Sequence, residues 1–261
     1  AVSTIDFRGL VLKEQPAGES GKRILVLREN GGQVWMTVRG AKNIRGKVMA
    51  ACQSFCFSRF WVFEGRGFWT VTRAELIESF YGLREELDRL AYGSYLLSLV
   101  AQTAVEGEMA DQQTLPLLLQ TLAVLEKDLL LPRLTAMIFT IKYLQMSGFL
   151  ASSLGCVCCG AQETMWFSLA AGGFLCASCE AKWPDRVAVP GAVVEAFRFV
   201  ERRQGSRIFG FRLSEEAEQA LTELLRRILW ARVGEVKALN FALRCSHPPG
   251  QKVEEKDYDH T

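Results

Sequence analysis

The chain has 261 residues, 49% of them hydrophobic and 23% charged, with a formal net charge of +2, eight cysteines and two histidines. That length accommodates one large domain or two to three small ones, and the apolar share is ample for a core. No run of about twenty predominantly apolar residues occurs, so no membrane-spanning helix is expected, and with Asp6 and Arg8 interrupting the first residues no signal peptide is expected in this stretch.

The charge is unevenly spread. Residues 1–76 carry twelve Lys/Arg against six acids, residues 77–155 carry five against nine, and the remainder carries fourteen of each. A basic first third on a nearly neutral chain points to a localised anionic partner. Eight cysteines without a secretion signal point to a reducing cytosol and to metal rather than a disulfide framework.

The first third reads as strands. Phe7 to Lys13 is a short strand followed by a Pro16/Gly18/Gly21 loop, and Arg23–Arg28 and Gln33–Arg39 flank a hairpin signal at Asn30-Gly31-Gly32. An apolar run from Phe55 to Phe63 turns at Glu64 to Gly67 and returns as Phe68 to Thr72. Five short β-rich segments suit a small closed barrel, which removes exposed edges; the five-stranded form of that architecture is the OB-fold. Between the third segment and the apolar run lies a basic loop, with Arg39, Lys42, Arg45 and Lys47 among glycines. Single-strand binders combine such cations with aromatic platforms, for which Trp35, Phe57, Phe60, Trp61, Phe68 and Trp69 are candidates, about half of them needed for the core. The loop cations, extended by Arg8, Lys22 and Arg23, form the expected phosphate track. A second basic group, Arg202, Arg203, Arg207, Arg226 and Arg227, lies farther on with equal numbers of acids and remains an alternative.

The middle reads as helices. Leu83, Leu87, Leu90, Ser94, Leu97, Ala101 and Ala104 step by four and three along a long amphipathic helix. Leu115 to Leu125 follows Thr114 as expected N-cap, with Pro116 in the first turn. A third helix begins near Pro132, turns Leu134, Met137, Ile138, Ile141 and Leu144 inward, and stops at Gly148. Beyond the cysteine segment, helices are expected over 190–203, from Ser214 to about Arg232, and on to Arg244. Residues 246–261 are expected to form a flexible tail. Both histidines lie in the tail, and there is no nucleophile elbow, dinucleotide fingerprint or grouped carboxylate motif, so no enzymatic activity is expected.

Residues 156–179 run Cys156-Val-Cys158-Cys159, sixteen residues beginning with Gly160, then Cys176-Ala-Ser-Cys179. Two C-x-x-C pairs at this separation have the spacing of a four-cysteine zinc site. The ligands are taken as Cys156, Cys159, Cys176 and Cys179 around one structural zinc, with Cys158 as bystander. A disulfide pair, an iron site and buried thiols are the alternatives.

This order of parts resembles the bacterial recombination mediator RecO family. The resemblance is carried by Arg8-Gly-Leu-Val-Leu-Lys13 with Gly18-Glu-Ser20, Val38-Arg-Gly-Ala-Lys42, Thr72-Arg-Ala-Glu-Leu76 with Glu78-Ser-Phe80, Leu87-Asp-Arg-Leu-Ala-Tyr92 and the cysteine segment, and it covers roughly residues 7–245. It implies an α+β architecture: an OB-fold barrel over 1–78, then a helical domain over 79–245 holding the zinc segment. It also implies a cytoplasmic, nucleoid-associated protein that binds single- and double-stranded DNA and anneals complementary strands. Such a protein acts with RecR, and in some organisms RecF, to load RecA onto strands coated by single-stranded DNA-binding protein (SSB). The helical domain would receive the acidic, apolar C-terminal tail of SSB, with Arg133 as carboxylate partner and Leu134, Ile138 and Phe139 as apolar contacts. An OB-type RNA-binding protein and a zinc-ribbon enzyme acting on nucleic acid are the other readings.

Overall fold

A computed structural model describes residues 3–18, 21–38, 46–65, 68–104 and 112–245. Five strands, β1 (Ser3–Ala17), β2 (Gly21–Arg28), β3 (Gln33–Val38), β4 (Phe57–Gly65) and β5 (Phe68–Glu78), close into a barrel in the order β1-β2-β3-β5-β4. Closure comes from antiparallel pairing of β1 with β4 and from a short parallel contact of β3 with β5, Met36 opposite Trp69. The β2–β3 hairpin turns at Gly31 and Gly32, both at positive φ (84° and 73°), as the Asn-Gly-Gly sequence requires. Gly9 is needed for another reason. A Cβ there would fall 2.7 Å from the Leu27 carbonyl oxygen, so β1 and β2 approach each other this closely only at a glycine.

Alternation along each strand divides the side chains between two cores. Val11, Ile24, Val26, Met36, Phe60, Val62 and Val71 fill the barrel. The opposite faces of β1 and β2, Leu10, Leu12, Leu25 and Leu27, are equally buried but belong to the core of the helical part. The barrel therefore has a dry outer wall on this side, against which the helices pack. A short helix α1 (Gly46–Ala51), where the sequence predicts only loop, joins the barrel core through Ala51, followed there by Cys52.

After a 3₁₀ turn at Tyr81–Arg84 come α2 (Leu87–Thr103), α3 (Thr114–Glu126) and α4 (Pro132–Met146), with Tyr92, Tyr95, Leu96, Leu118, Ile138 and Phe139 fully buried among them. Thr114 is the first helical residue of α3 rather than its cap, a place taken by Gln113. Tyr95 and Thr140 satisfy one another in this core at 2.7 Å. Gln33 of β3 donates to the Ala101 and Ala104 carbonyls at the end of α2, fastening barrel to helices. The chain ends its described part with α5 (Gly191–Glu201), α6 (Glu215–Arg232) and α7 (Lys237–Cys245). Ser214 caps α6 as expected, its hydroxyl accepting from the Ala217 amide. Between α4 and α5 sits a three-stranded sheet ordered β7-β6-β8, from β6 (Trp166–Ser168), β7 (Gly173–Leu175) and β8 (Val187–Ala188). The tail 246–261 lies outside the described residues.

Candidate metal centre and nucleic-acid surface

Among the described residues, Cys156, Cys159, Cys176 and Cys179 bring their sulfurs within 4.8 Å of one another. Two tight turns do this. The Gly160 amide donates to the Cys156 carbonyl at 2.8 Å with φ at 77°, a left-handed position suited to glycine, and the Cys179 and Glu180 amides both donate to the Cys176 carbonyl. The Sγ atoms of Cys159 and Cys176 are 3.6 Å apart, too far for a disulfide bond of about 2.0 Å. They fit a tetrahedron of sulfurs each about 2.3 Å from one ion. Burial pushes the Cys156 thiol up, but the amides of Cys176, Cys158 and Cys159 outweigh it and bring it down to about 6. Hydrogen bonds shared with Cys159 and Cys176 push the Cys179 thiol up to about 12. Four thiols so close cannot all ionise alone; a divalent cation suits the set. Cys158 points away, exposed, with its sulfur accepting from the Trp183 indole at 3.3 Å.

The centre is fastened to the helices by α5. Arg198 donates to the carbonyl of Ser153 and to the Thr164 hydroxyl, and it also holds the Gln162 carbonyl. Glu201 accepts from the Ser152 hydroxyl at 2.6 Å and the Ser153 amide at 2.7 Å. Burial would raise its carboxyl, but those serines and the Lys142 ammonium hold it below the ordinary value. Phe174 packs edge-on against Phe167 and Phe197, with ring centroids 5.3 and 5.1 Å apart, and carries the small sheet onto the main core.

The described residues hold only part of the expected phosphate track. Arg39, Lys42 and Arg45 lie outside the described residues, and Lys47 falls in α1. Lys22 is largely covered, 14% exposed, and bound to Glu14 at 2.7 Å. Arg23 lies over Trp35, 5.0 Å from its centroid, and Arg8 is paired with Glu29 at 2.6 Å. Arg23 sits opposite Gln15, seven positions along β1 from Arg8, so roughly 20 Å of strand separates them. Arg8 instead sits opposite Arg59, a residue the sequence reading passed over. The alternation of Arg59, Trp61 and Phe63 with buried Phe60 and Val62 was the signal that could have found it. Of the candidate platforms, Phe60 is in the barrel core, Trp35 and Phe57 pack on the helical core, and Trp69 packs on the barrel core. Trp61 and Phe68 face outward. In the second basic group, Arg203 lies over Phe199, while Arg226 and Arg227 pair with Glu223.

The expected tail-binding residues require correction. Leu134, Ile138 and Phe139 are at most 1% exposed and build the helical core, leaving no surface for a peptide. Arg133 is spent on Glu218 of α6, Nε to Oε1 2.5 Å. A helix carrying ten buried residues has no free apolar face to present there.

Comparison with known proteins agrees with this architecture. Residues 2–80 match the family model described as Recombination protein O N terminal, and residues 84–239 match Recombination protein O C terminal. The DNA repair protein RecO of Rubrobacter xylanophilus is 31% identical over 231 residues, spanning 87% of this chain and 89% of its own length. The proteins of the same name from Acetivibrio thermocellus and Bacillus subtilis are each 28% identical, over 227 and 218 residues, spanning 86% and 83% of this chain and 90% and 85% of their own lengths. With its barrel matching one half of that family, its helices the other, in the same order and over most of its length, this chain belongs to the recombination protein O (RecO) family of DNA repair proteins.

Proposed function

We propose that this protein is a recombination mediator acting without catalysis of its own. It binds single- and double-stranded DNA, anneals complementary strands, and with RecR helps load RecA onto SSB-coated single strands, with RecF as a further partner. The observation that carries this reading is family membership across both halves of the chain, joined to the surplus of bases in the barrel half. SSB holds its strand tightly, so a protein that replaces it needs competing contacts to phosphate and a way to recognise SSB. Cations on the barrel supply the first; the tail of SSB is the natural handle for the second. The four cysteines hold one structural zinc per chain, with thiolates taking all four tetrahedral positions so that none is open to a substrate. The place of action is the cytoplasm, at the nucleoid.

The phosphate contacts are assigned to Lys42, Arg45 and Lys47 with Arg39. Each phosphate neutralised on a single strand contributes about 0.7 to the slope of log affinity against log salt. Changing Lys42, Arg45 and Lys47 together to alanine is expected to flatten that slope by roughly 2. Affinity for one oligonucleotide, measured at several salt concentrations for parent and variant, checks this. An unchanged slope removes the loop from the site, and a parent that binds no DNA sinks the whole reading.

A further inference from the structure

The outer wall of the barrel has two fates. Leu25 and Leu27 of β2 are buried against the helices, and Trp35 of β3 packs beside them. Those two strands form the face on which five-stranded barrels of this type ordinarily hold oligonucleotides. Here the helices cover the part of it built by Leu25 and Leu27, while Arg23 stays exposed at its far end.

The wall formed by the start of β1 with β4 and β5 stays open. Strand register places Trp61 between Asp6 on β1 and Arg73 on β5, and Arg59 between Arg8 and Glu75. The guanidinium carbons of Arg59 and Arg73 lie 5.0 and 4.6 Å from the centroid of the Trp61 ring. Two residues farther along β4, Phe63 meets the exposed Phe68, ring centroids 6.5 Å apart. Among the described residues, each arginine on this wall has a carboxylate partner: Arg59 with Asp6 and Arg8 with Glu29, both at 2.6 Å, and Arg73 with Glu75. These three pairs, cation against anion, leave the described part of the wall without a surplus of positive charge. It is therefore a poor phosphate track, but the carboxylates keep the guanidinium groups in place while leaving them 50% (Arg59) and 64% (Arg73) exposed.

We propose that this wall, with Trp61 between Arg59 and Arg73 and with Phe63 and Phe68 beyond, is the base-stacking surface for single-stranded DNA. The proposal rests on the DNA-binding reading above and assigns to it a site different from the basic loop. Guanidinium planes and aromatic rings both accept unstacked bases. Side chains on one face of a strand recur about every 6.8 Å, a spacing that an extended single strand can follow. A protein partner would need a pocket for an anchor side chain, whereas this is the convex outside of a barrel with charges between the rings.

The test uses the full chain and a single-stranded oligonucleotide carrying 5-bromouracil, cross-linked by near-ultraviolet light and mapped by mass spectrometry. The cross-links are expected on the peptides holding Trp61 and Phe68. Trp61→Ala is expected to weaken binding about tenfold at every salt concentration with the parental salt slope retained, and Trp61→Phe to restore most of the loss. Cross-links confined to other segments, or parental affinity in Trp61→Ala, overturn the proposal while leaving DNA binding intact. A parent that binds no single strand overturns the DNA-binding reading and this one with it. Should Trp61→Ala fail to fold, the cross-link map of the unaltered protein decides alone. Unchanged DNA affinity in Trp61→Ala with lost binding to a protein such as RecR would make the wall a protein contact and refute the assignment.

Discussion

Replacing Cys176 by serine is expected to reduce bound zinc from one per chain to nearly none and to open residues 153–189 to proteolysis. The four sulfurs converge from two turns with only short strands between them, so an ion held there would tie the two turns together. In isolated zinc modules a thiolate set contributes on the order of 10–16 kcal/mol of apparent binding free energy, most of it expressed as folding. Here the loss stays local, because Phe174 also packs on Phe197, with Phe167 behind it, and because Arg198 and Glu201 hold the segment's entry. The barrel and helices α2–α4 are expected to unfold as in the parent. Cys158→Ser should keep its zinc, since that sulfur is engaged by Trp183 outside the cluster. Metal content and limited proteolysis on the two variants decide the ligand set. Full zinc in Cys176→Ser, or its loss in Cys158→Ser, would contradict it.

Arg133→Ala is expected to destabilise the protein by about 3–5 kcal/mol, the usual cost of leaving one member of a buried ion pair alone. Glu218 is 4% exposed and Arg133 17%, and their pairing ties α4 to α6. Removing the guanidinium strands a carboxylate in the core, where solvation cannot replace its partner. The double change Arg133→Met with Glu218→Leu should recover most of the loss, since apolar side chains of similar volume often replace such a pair at little cost. Urea unfolding of the three variants checks this. Parental stability in Arg133→Ala would mean that the pair contributes little and would return Arg133 to consideration as a surface residue.

These two cases mark what the sequence could and could not disclose. The cluster of Cys156, Cys159, Cys176 and Cys179 was legible because the two cysteines of each pair are three residues apart, which lets one tight turn present both sulfurs. The barrel was legible because its strands are dense in β-branched and aromatic residues, although β1 and β5 run longer than their apolar cores: Ser3–Ala17 rather than 7–13, and Phe68–Glu78 rather than 68–72. The pairing of Arg133 was not legible because its partner lies 85 positions away, and only the packing of α6 onto α4 reveals it. Leu25 and Leu27 alternate with barrel-core residues as outward-facing side chains would, and no local pattern says that helices cover them. Short elements such as α1 and the small sheet leave too few residues for a period to show.

The central claim, that the chain is an annealing mediator, is tested most directly by mixing complementary single strands coated with SSB, adding the purified protein without nucleotide, and following duplex formation. The account predicts annealing well above the rate with SSB alone. It also predicts that annealing slows when Lys42, Arg45 and Lys47 are changed to alanine. Duplex formation no faster than with SSB alone, by a protein that is folded and zinc-loaded, would contradict it.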